Sequence, residues 1–369
     1  FNNECKEIKL KDLSTNISYG MNVPATDYDG ENKYIRITDI DEETSLYTNN
    51  KVSPLGILDD KFLLKENDIL FARTGASTGK TYLYDKEDGK LYYAGFLIKA
   101  HIKDNYIGKF IFEQTKLNKY YNWVRITSMR SGQPGINSLE YGNYKFAITS
   151  IFEQQKIANF FTLIDKKINL QTQKVELLKM YEKKFIKNLL NSNNKDWKNV
   201  TLKDCCLGFD HLRKPIISTQ RKTGNIPYYG ANGIQDYIND FLFDGEYILL
   251  AEDGGHFDEF FCKPIAQYIN GKAWVNNHAH VIQGNNENCT KFLYYCLKHK
   301  DIRQYVNGTS RAKLNQDNMW KIRLKLPPLN KQIQISNTLS IFDKKILIQE
   351  KLKKRLEDLK KCLLQQMFI

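Results

Sequence analysis

The seven residues Gly75-Ala-Ser-Thr-Gly-Lys-Thr81 are the first stretch whose types suggest chemistry, because glycines beside a lysine and hydroxyls are what a phosphate-cradling turn requires. The nucleotide-binding pattern needs four residues between its first glycine and the Gly-Lys pair. Here there are three, and Tyr82-Leu-Tyr-Asp follows where a helix with an apolar stripe is needed. Two readings stay open: a structural glycine turn, or a turn whose amides act with Arg73, Thr74, Ser77, Thr78 and Lys80 on a DNA phosphate or base edge. Leu326-Pro-Pro-Leu329 lacks the polar first residue and the aromatic last residue of an amino-methyltransferase site, and reads as a helix entry. His256, His278 and His280, taken with Cys262, match no standard metal spacing, so no metal is expected. Asp253, His256, Asn277, His278 and His280 are candidate base contacts, with ordinary hydrogen-bonded loop histidines as the alternative. Polar, basic loops add Arg125, Ser128, Arg130 and Gln133, and later Ser310, Arg311 and Lys313. No glycine-rich cofactor loop follows a strand and no nuclease or helicase constellation appears, so the chain reads as non-catalytic, binding no cofactor of its own.

These loops must be positioned by something, and the chain supplies it twice. Ile151 to Leu190 lies over Leu329 to Phe368 without a gap, at a constant offset of 178 (329 against 151). Asp165-Lys-Lys-Ile168 recurs as Asp343-Lys-Lys-Ile346, and Gln154 matches Gln332. Ile157, Phe161, Ile164, Ile168, Gln171, Val175, Leu178, Glu182, Phe185 and Leu189 alternate by fours and threes, the seam of a coiled coil. Ile335, Leu339, Phe342, Ile346, Gln349, Leu356, Leu363 and Met367 fall on the equivalent seam. Neither copy holds Pro or Gly, so each predicts an unbroken helix roughly 57 Å long. The natural cover for one stripe is the other copy; two ordinary amphipathic helices, each on its own domain, are the alternative. Lys351, Lys353, Lys354, Arg355, Lys360 and Lys361 read as a solvated face of the coil.

The repeat reaches back into the globular parts. Cys5 to Asp12 matches Trp197 to Asp204, Lys33 to Ile40 matches Pro227 to Ile234, and Asp68 to Gly75 matches Tyr247 to Gly254. The first half carries extra residues between Ile40 and Asp68, expected as a surface loop around Tyr47 to Leu58. The loops before the two long helices, from Arg130 and from Thr309, also correspond. The expected order is a domain over 1–150, a helix and linker over 151–192, a domain over 193–328 and a helix over 329–369. Asn191 to Asp196 is the polar linker. The fold class is α+β: two mixed α/β domains in pseudo-two-fold arrangement, separated by a long antiparallel coiled coil.

A net charge of +13 and pI near 9.1 point to a polyanionic partner, nucleic acid being the commonest, with membrane surface or simple solubility left open by charge alone. No run of about twenty apolar residues is present, and no signal-peptide pattern opens the sequence. Seven cysteines without paired spacing suit free thiols in a reducing cytoplasm.

The order and duplication of these phrases, with Glu66 to Lys80 and Ile226 to Ile234, resemble the specificity subunits of type I DNA restriction and modification systems over the whole chain. The tryptophan usual near the start of each half is Trp197 in the second and Cys5 in the first, and the abrupt start at Phe1 raises the expectation of a few residues before it. The resemblance implies a subunit that reads an asymmetric bipartite sequence in double-stranded DNA, one half per domain, with the helices setting the spacer. It implies two methyltransferase subunits, which use S-adenosylmethionine to methylate adenine, and two restriction and motor subunits that use ATP and magnesium. A coiled-coil adaptor that tethers partner proteins without reading DNA is the competing expectation.

Overall fold

The computed structural model describes residues 5–190, 196–308 and 312–368. Most of the polar linker, and Ser310 and Arg311, therefore lie outside the described residues. The chain forms two compact units, Phe1–Gln171 with Leu352–Ile369, and Thr172–Lys351. The boundary between the two units falls inside both long helices. The physical reason is that each end of each helix is packed into one unit's core.

In the first unit, four antiparallel strands run in the order Ser14–Tyr19, Leu97–Ile102, Asp68–Ala72, Thr81–Leu83. Asp68-Ile-Leu-Phe-Ala72 is buried throughout, as a central strand covered on both faces must be. Lys6–Lys9 pairs antiparallel with Lys145–Ile148, which ties the start of the unit to the strand entering the long helix. The helices Gly108–Gln114 and Asn118–Thr127 cover the sheet. The extra segment is exposed at Thr48 to Lys51 and Leu55 to Ile57, as a surface loop should be, but is anchored between them. Val52–Pro54 pairs with Ala25–Asp27, Tyr47 and Ser53 are buried, and Val52 and Leu58 pack on a small second core around Met21, Tyr34 and Tyr92.

The second unit repeats the plan in a larger sheet. Cys206–Gly208, Ala279–Gly284, Phe243–Ala251 and Ala266–Val275 follow the same spatial order, and Thr223–Gly230 and Gly233–Ile238 extend it. Lys198–Thr201 pairs with Arg323–Leu326 as the counterpart of the first unit's closing ladder. The helix Thr290–Leu297 takes the place of Gly108–Gln114.

The long helices run Ile151–Leu190 and Leu329–Met367, close to the spans read from sequence. Each is pinned at its start by its repeated glutamine. The Gln154 Oε1 accepts the Ile107 amide at 3.1 Å and its Nε2 donates to the Thr149 carbonyl at 2.8 Å. Gln332 does the same with the Cys289 amide at 3.0 Å and the Pro327 carbonyl at 2.9 Å. Ile107 and Cys289 each precede a short helix, whose first amides have no intrahelical acceptor, so a buried glutamine supplies one. Within the first unit Phe161 stacks on Phe368 at 6.5 Å and Asp165 meets Lys360 at 2.7 Å; within the second, Phe185 faces Phe342 at 5.9 Å and Lys179 meets Glu350 at 2.6 Å. Numbers rise along one helix as they fall along the other, so the pairing is antiparallel in each unit.

The seam positions Ile157, Phe161, Ile164, Ile168, Val175 and Leu178 are buried or half-buried, as are Ile335, Leu339, Phe342, Ile346, Leu356 and Leu363. Two readings need correction. After Glu182 the stripe advances by four, so Ile186 is 8% exposed while Phe185 is 39% exposed. Lys360 is not on the solvated face; it turns inward to Asp165 and Glu113. Fully burying a side chain such as Phe161 or Leu339 contributes about 1.5–3 kcal/mol.

Candidate nucleic-acid interface

In the first unit, Arg73 and Thr74 leave the central strand and enter a short turn, Gly75–Ser77. The Arg73 carbonyl accepts the Ile136 amide at 2.9 Å, the Gly75 amide donates to the Pro134 carbonyl at 2.9 Å, and Thr74 bridges Gly135. The loop 73–80 and the loop reaching Gln133 are therefore stitched together by backbone. The second unit does the same at equivalent positions: Leu314 donates to the Glu252 carbonyl at 2.7 Å, and Asp253 bridges Lys313. Sequence correspondence placed these loops at matching points; the structure shows that each pair is one surface.

The first surface is cationic. The Arg73 guanidinium stacks over the Tyr19 ring at 4.7 Å, and the Tyr19 hydroxyl accepts the Ser138 amide. Among the described residues no carboxylate pairs with Arg73. Ser77 and Thr78 are half-buried in the turn, the Thr78 hydroxyl donating to the Gly75 carbonyl at 2.8 Å. Lys80 is half-buried and lies 3.5 Å from the exposed Glu42. Arg125 and Gln133 are exposed, and Ser128 ends the helix that carries Arg125. Arg130 is partly committed: it donates to the Thr127 and Met129 carbonyls and pairs with Glu140 at 2.5 Å. Gly79, at φ +91°, would place a Cβ only 2.5 Å from Val124, so that glycine answers to packing. Strand Thr81–Leu83 follows the turn, so no helix N-terminus stands there to cradle a nucleotide.

The second surface carries carboxylates held by cations. Glu252, equivalent to Arg73, pairs with Arg213 at 2.6 Å and Lys313 at 3.2 Å. Burial alone would raise its pKa, but Arg213, His280 and Lys313 hold it below the ordinary carboxylate value. Asp253 meets His278 Nδ1 at 2.5 Å, and His278 lines a cleft of about 370 Å³ with Asn232, Gln235 and Gly254. Asn277 is exposed and His256 half-buried. His280 corrects the sequence reading. It is 1% exposed, its Nδ1 on Asp210 at 2.6 Å and its Nε2 on the Leu314 carbonyl at 2.8 Å, so no ring edge is left for a base. It holds the Leu314 loop to the sheet. His278 and His280 thus serve different carboxylates, and among the described residues no group of three or more metal-ligating side chains converges.

Sequence reasoning missed Tyr19, Arg213, Asn232 and Gln235. Asn232 sits in the turn inside the repeated phrase ending at Ile234, and Gln235 follows that phrase on the strand Gly233–Ile238, which was a usable signal. Tyr19 is brought in by sheet pairing, and Arg213, just after the short turn Asp210–Leu212, by its own hydrogen bonds to Glu252 and the Ala279 carbonyl; neither carried a signal. No helix among the described residues is long and apolar enough to cross a membrane.

Comparison with known proteins bears on these surfaces. A family model described as the type I restriction modification DNA specificity domain matches residues 2–180 and again 194–358. A putative type I restriction enzyme specificity subunit of Haemophilus influenzae is 38% identical over 151 residues, 41% of this chain and 38% of that protein. A putative type I specificity subunit of Mycoplasma pneumoniae is 35% identical over 126 residues, 33% of this chain and 48% of that protein. The chain thus matches less than half the length of these relatives. A crystal structure of the type I restriction-modification S subunit from M. genitalium shares the fold at a TM-score of 0.66 with 16% identity, covering 100% of this chain and 97% of that one. A chain from a structural study of complex assembly and conformational transition in the type I R-M system gives 0.57 with 13% identity, covering 99% and 97%. With the family model matched once in each half, the chain belongs to the type I restriction modification DNA specificity domain family.

Proposed function

We propose that this chain is the DNA-reading subunit of a type I restriction and modification complex and carries out no catalysis itself. Each unit reads one half of an asymmetric, bipartite duplex sequence. The observation that carries this reading is the stitched loop pair, built at equivalent positions of both units but chemically unlike in the two. Arg73, with no carboxylate partner among the described residues, suits the acceptor edge of guanine, whereas at the equivalent place Glu252 is held by Arg213 and Lys313, so the two half-sites differ. Affinity comes from the basic balance of the chain, +13 overall.

Partner docking is supported by apolar residues left exposed on the long helices: Leu163 and Leu170 in the first unit, and Leu177, Met180, Ile341 and Ile348 in the second. Leu163 and Ile341, and Leu170 and Ile348, are equivalent positions in the repeat, which suits two copies of one partner. These partners are two methyltransferase subunits, with S-adenosylmethionine, joined by two restriction and motor subunits, with ATP and magnesium, in the cytoplasm. The test is methylation-sensitive sequencing of host DNA with and without the gene. Expected is a split adenine-methylated motif that vanishes on deletion; a motif that persists would remove the reading. An adaptor that only tethers proteins would leave DNA unread and the purified complex without sequence preference.

A further inference from the structure

The two units use one charge site in two versions. In the first, Lys109 lies 2.5 Å from Glu113 and 2.6 Å from Asp165, and Lys360 lies 2.7 Å from Asp165 and 3.4 Å from Glu113. In the second, Lys298 lies 2.6 Å from Glu182 and 3.3 Å from Asp343, and Tyr295 donates to Asp343. Asp165 and Asp343 are equivalent in the repeat, 178 residues apart. At the same offset, Glu182 is the equivalent of Lys360. One seam position therefore carries opposite charges in the two long helices, and both side chains are turned inward, Glu182 being 3% exposed.

Apolar packing gives these helices little means to choose a partner. Ile157 and Ile335, Phe161 and Leu339, Ile186 and Leu364, and Leu189 and Met367 are equivalent pairs of similar shape, each packed in its core. A first long helix paired with its counterpart in a second copy of this chain would keep most of that burial. It would also set Glu182 of one copy where Lys360 now stands, against Asp165 and the fully buried Glu113. Three carboxylates would then face two lysines, Lys109 and the neighbouring buried Lys116, which also donates to Ser45 and Thr81, where three lysines now face two carboxylates. Buried like charges of this kind repel strongly because little water screens them.

We infer that Glu182 and Lys360 form a pairing key that commits the first long helix to the second and rejects the same half of another copy. This rests on the bipartite reading for its purpose, since the key keeps two unlike domains together and the target asymmetric. The structural claim stands separately.

The experiment uses the full chain with a protease site placed within residues 191–195, cleaved after purification, and a mixture of tagged and untagged copies allowed to exchange. Native mass spectrometry counts the pairs. Expected for the wild type is unlike halves only. Glu182→Lys should raise pairs of first halves by about tenfold or more, with Glu182→Gln between the two. Lys360→Glu should release the halves from each other. Statistical mixing of wild-type halves, or unchanged pairing in Glu182→Lys and Glu182→Gln, would overturn the inference. Because the readout involves no DNA, neither outcome depends on whether the chain reads sequence.

Discussion

His299 shows how a single side chain sets a pH limit on the second unit. Burial pushes its pKa down to about 4, while its Nδ1 donates to the Phe260 carbonyl at 2.8 Å. The folded state keeps the ring neutral, whereas the unfolded chain takes up a proton near pH 6.5. Stability from this group is therefore full above about pH 6.5 and is lost as pH falls toward 4. Allowing for partial solvent exposure, the loss is about 1–2 kcal/mol. His299→Gln should flatten that part of the stability curve in denaturant melts between pH 7 and 4; an unchanged slope would count against a neutral buried ring. Gln154 is a second sensitive point. Gln154→Ala strands the Ile107 amide and the Thr149 carbonyl and should cost about 2–4 kcal/mol in thermal or urea unfolding. In the proposed reading Arg73 serves DNA contact. Arg73→Ala should weaken discrimination at one half-site by about 1–3 kcal/mol and leave the other half-site unchanged in binding titrations. Arg73→Lys should not restore it, because a lysine loses the planar stacking on Tyr19.

Among the elements, the long helices were the most legible from sequence and the loops the least. The spacing of Ile157, Phe161, Ile164 and Ile168 is local information, and a helix without Pro or Gly has few alternatives. What the spacing could not show was which surfaces Gln154 and Asp165 address. The short helices that follow Ile107 and Cys289 correspond as Lys109-Phe-Ile-Phe112 and Lys291-Phe-Leu-Tyr294, at a different offset from the long ones, and only the hydrogen bonds show that each receives a glutamine. The register slip from Phe185 to Ile186 arose for a related reason, since the second unit's core fixes the last turns of that helix more strongly than a heptad does. His280 was misread because it stands two residues from His278 and has the same chemistry; only the fold separates a buried clamp from a half-exposed ring. If the helix pair sets the spacer, adding seven residues at equivalent points of both long helices should lengthen the gap in the recognised sequence and keep both half-sites. An unchanged gap would remove the ruler while leaving DNA reading intact.

At the scale of the whole molecule, duplication explains the economy of the chain. One plan is used twice, with a four-strand order, a closing ladder, a glutamine-pinned helix and a stitched loop pair in each unit. The loops then diverge, with Arg73 in one unit and Glu252 in the other. Such a molecule is suited to two different short words read together. The most direct test is selection of the purified chain, with the methyltransferase subunit proposed for it, against random duplex DNA. Expected is a motif of two unlike blocks separated by a fixed gap, one block degraded by Arg73→Ala. Enrichment of no sequence, or of a single uninterrupted block, would contradict it.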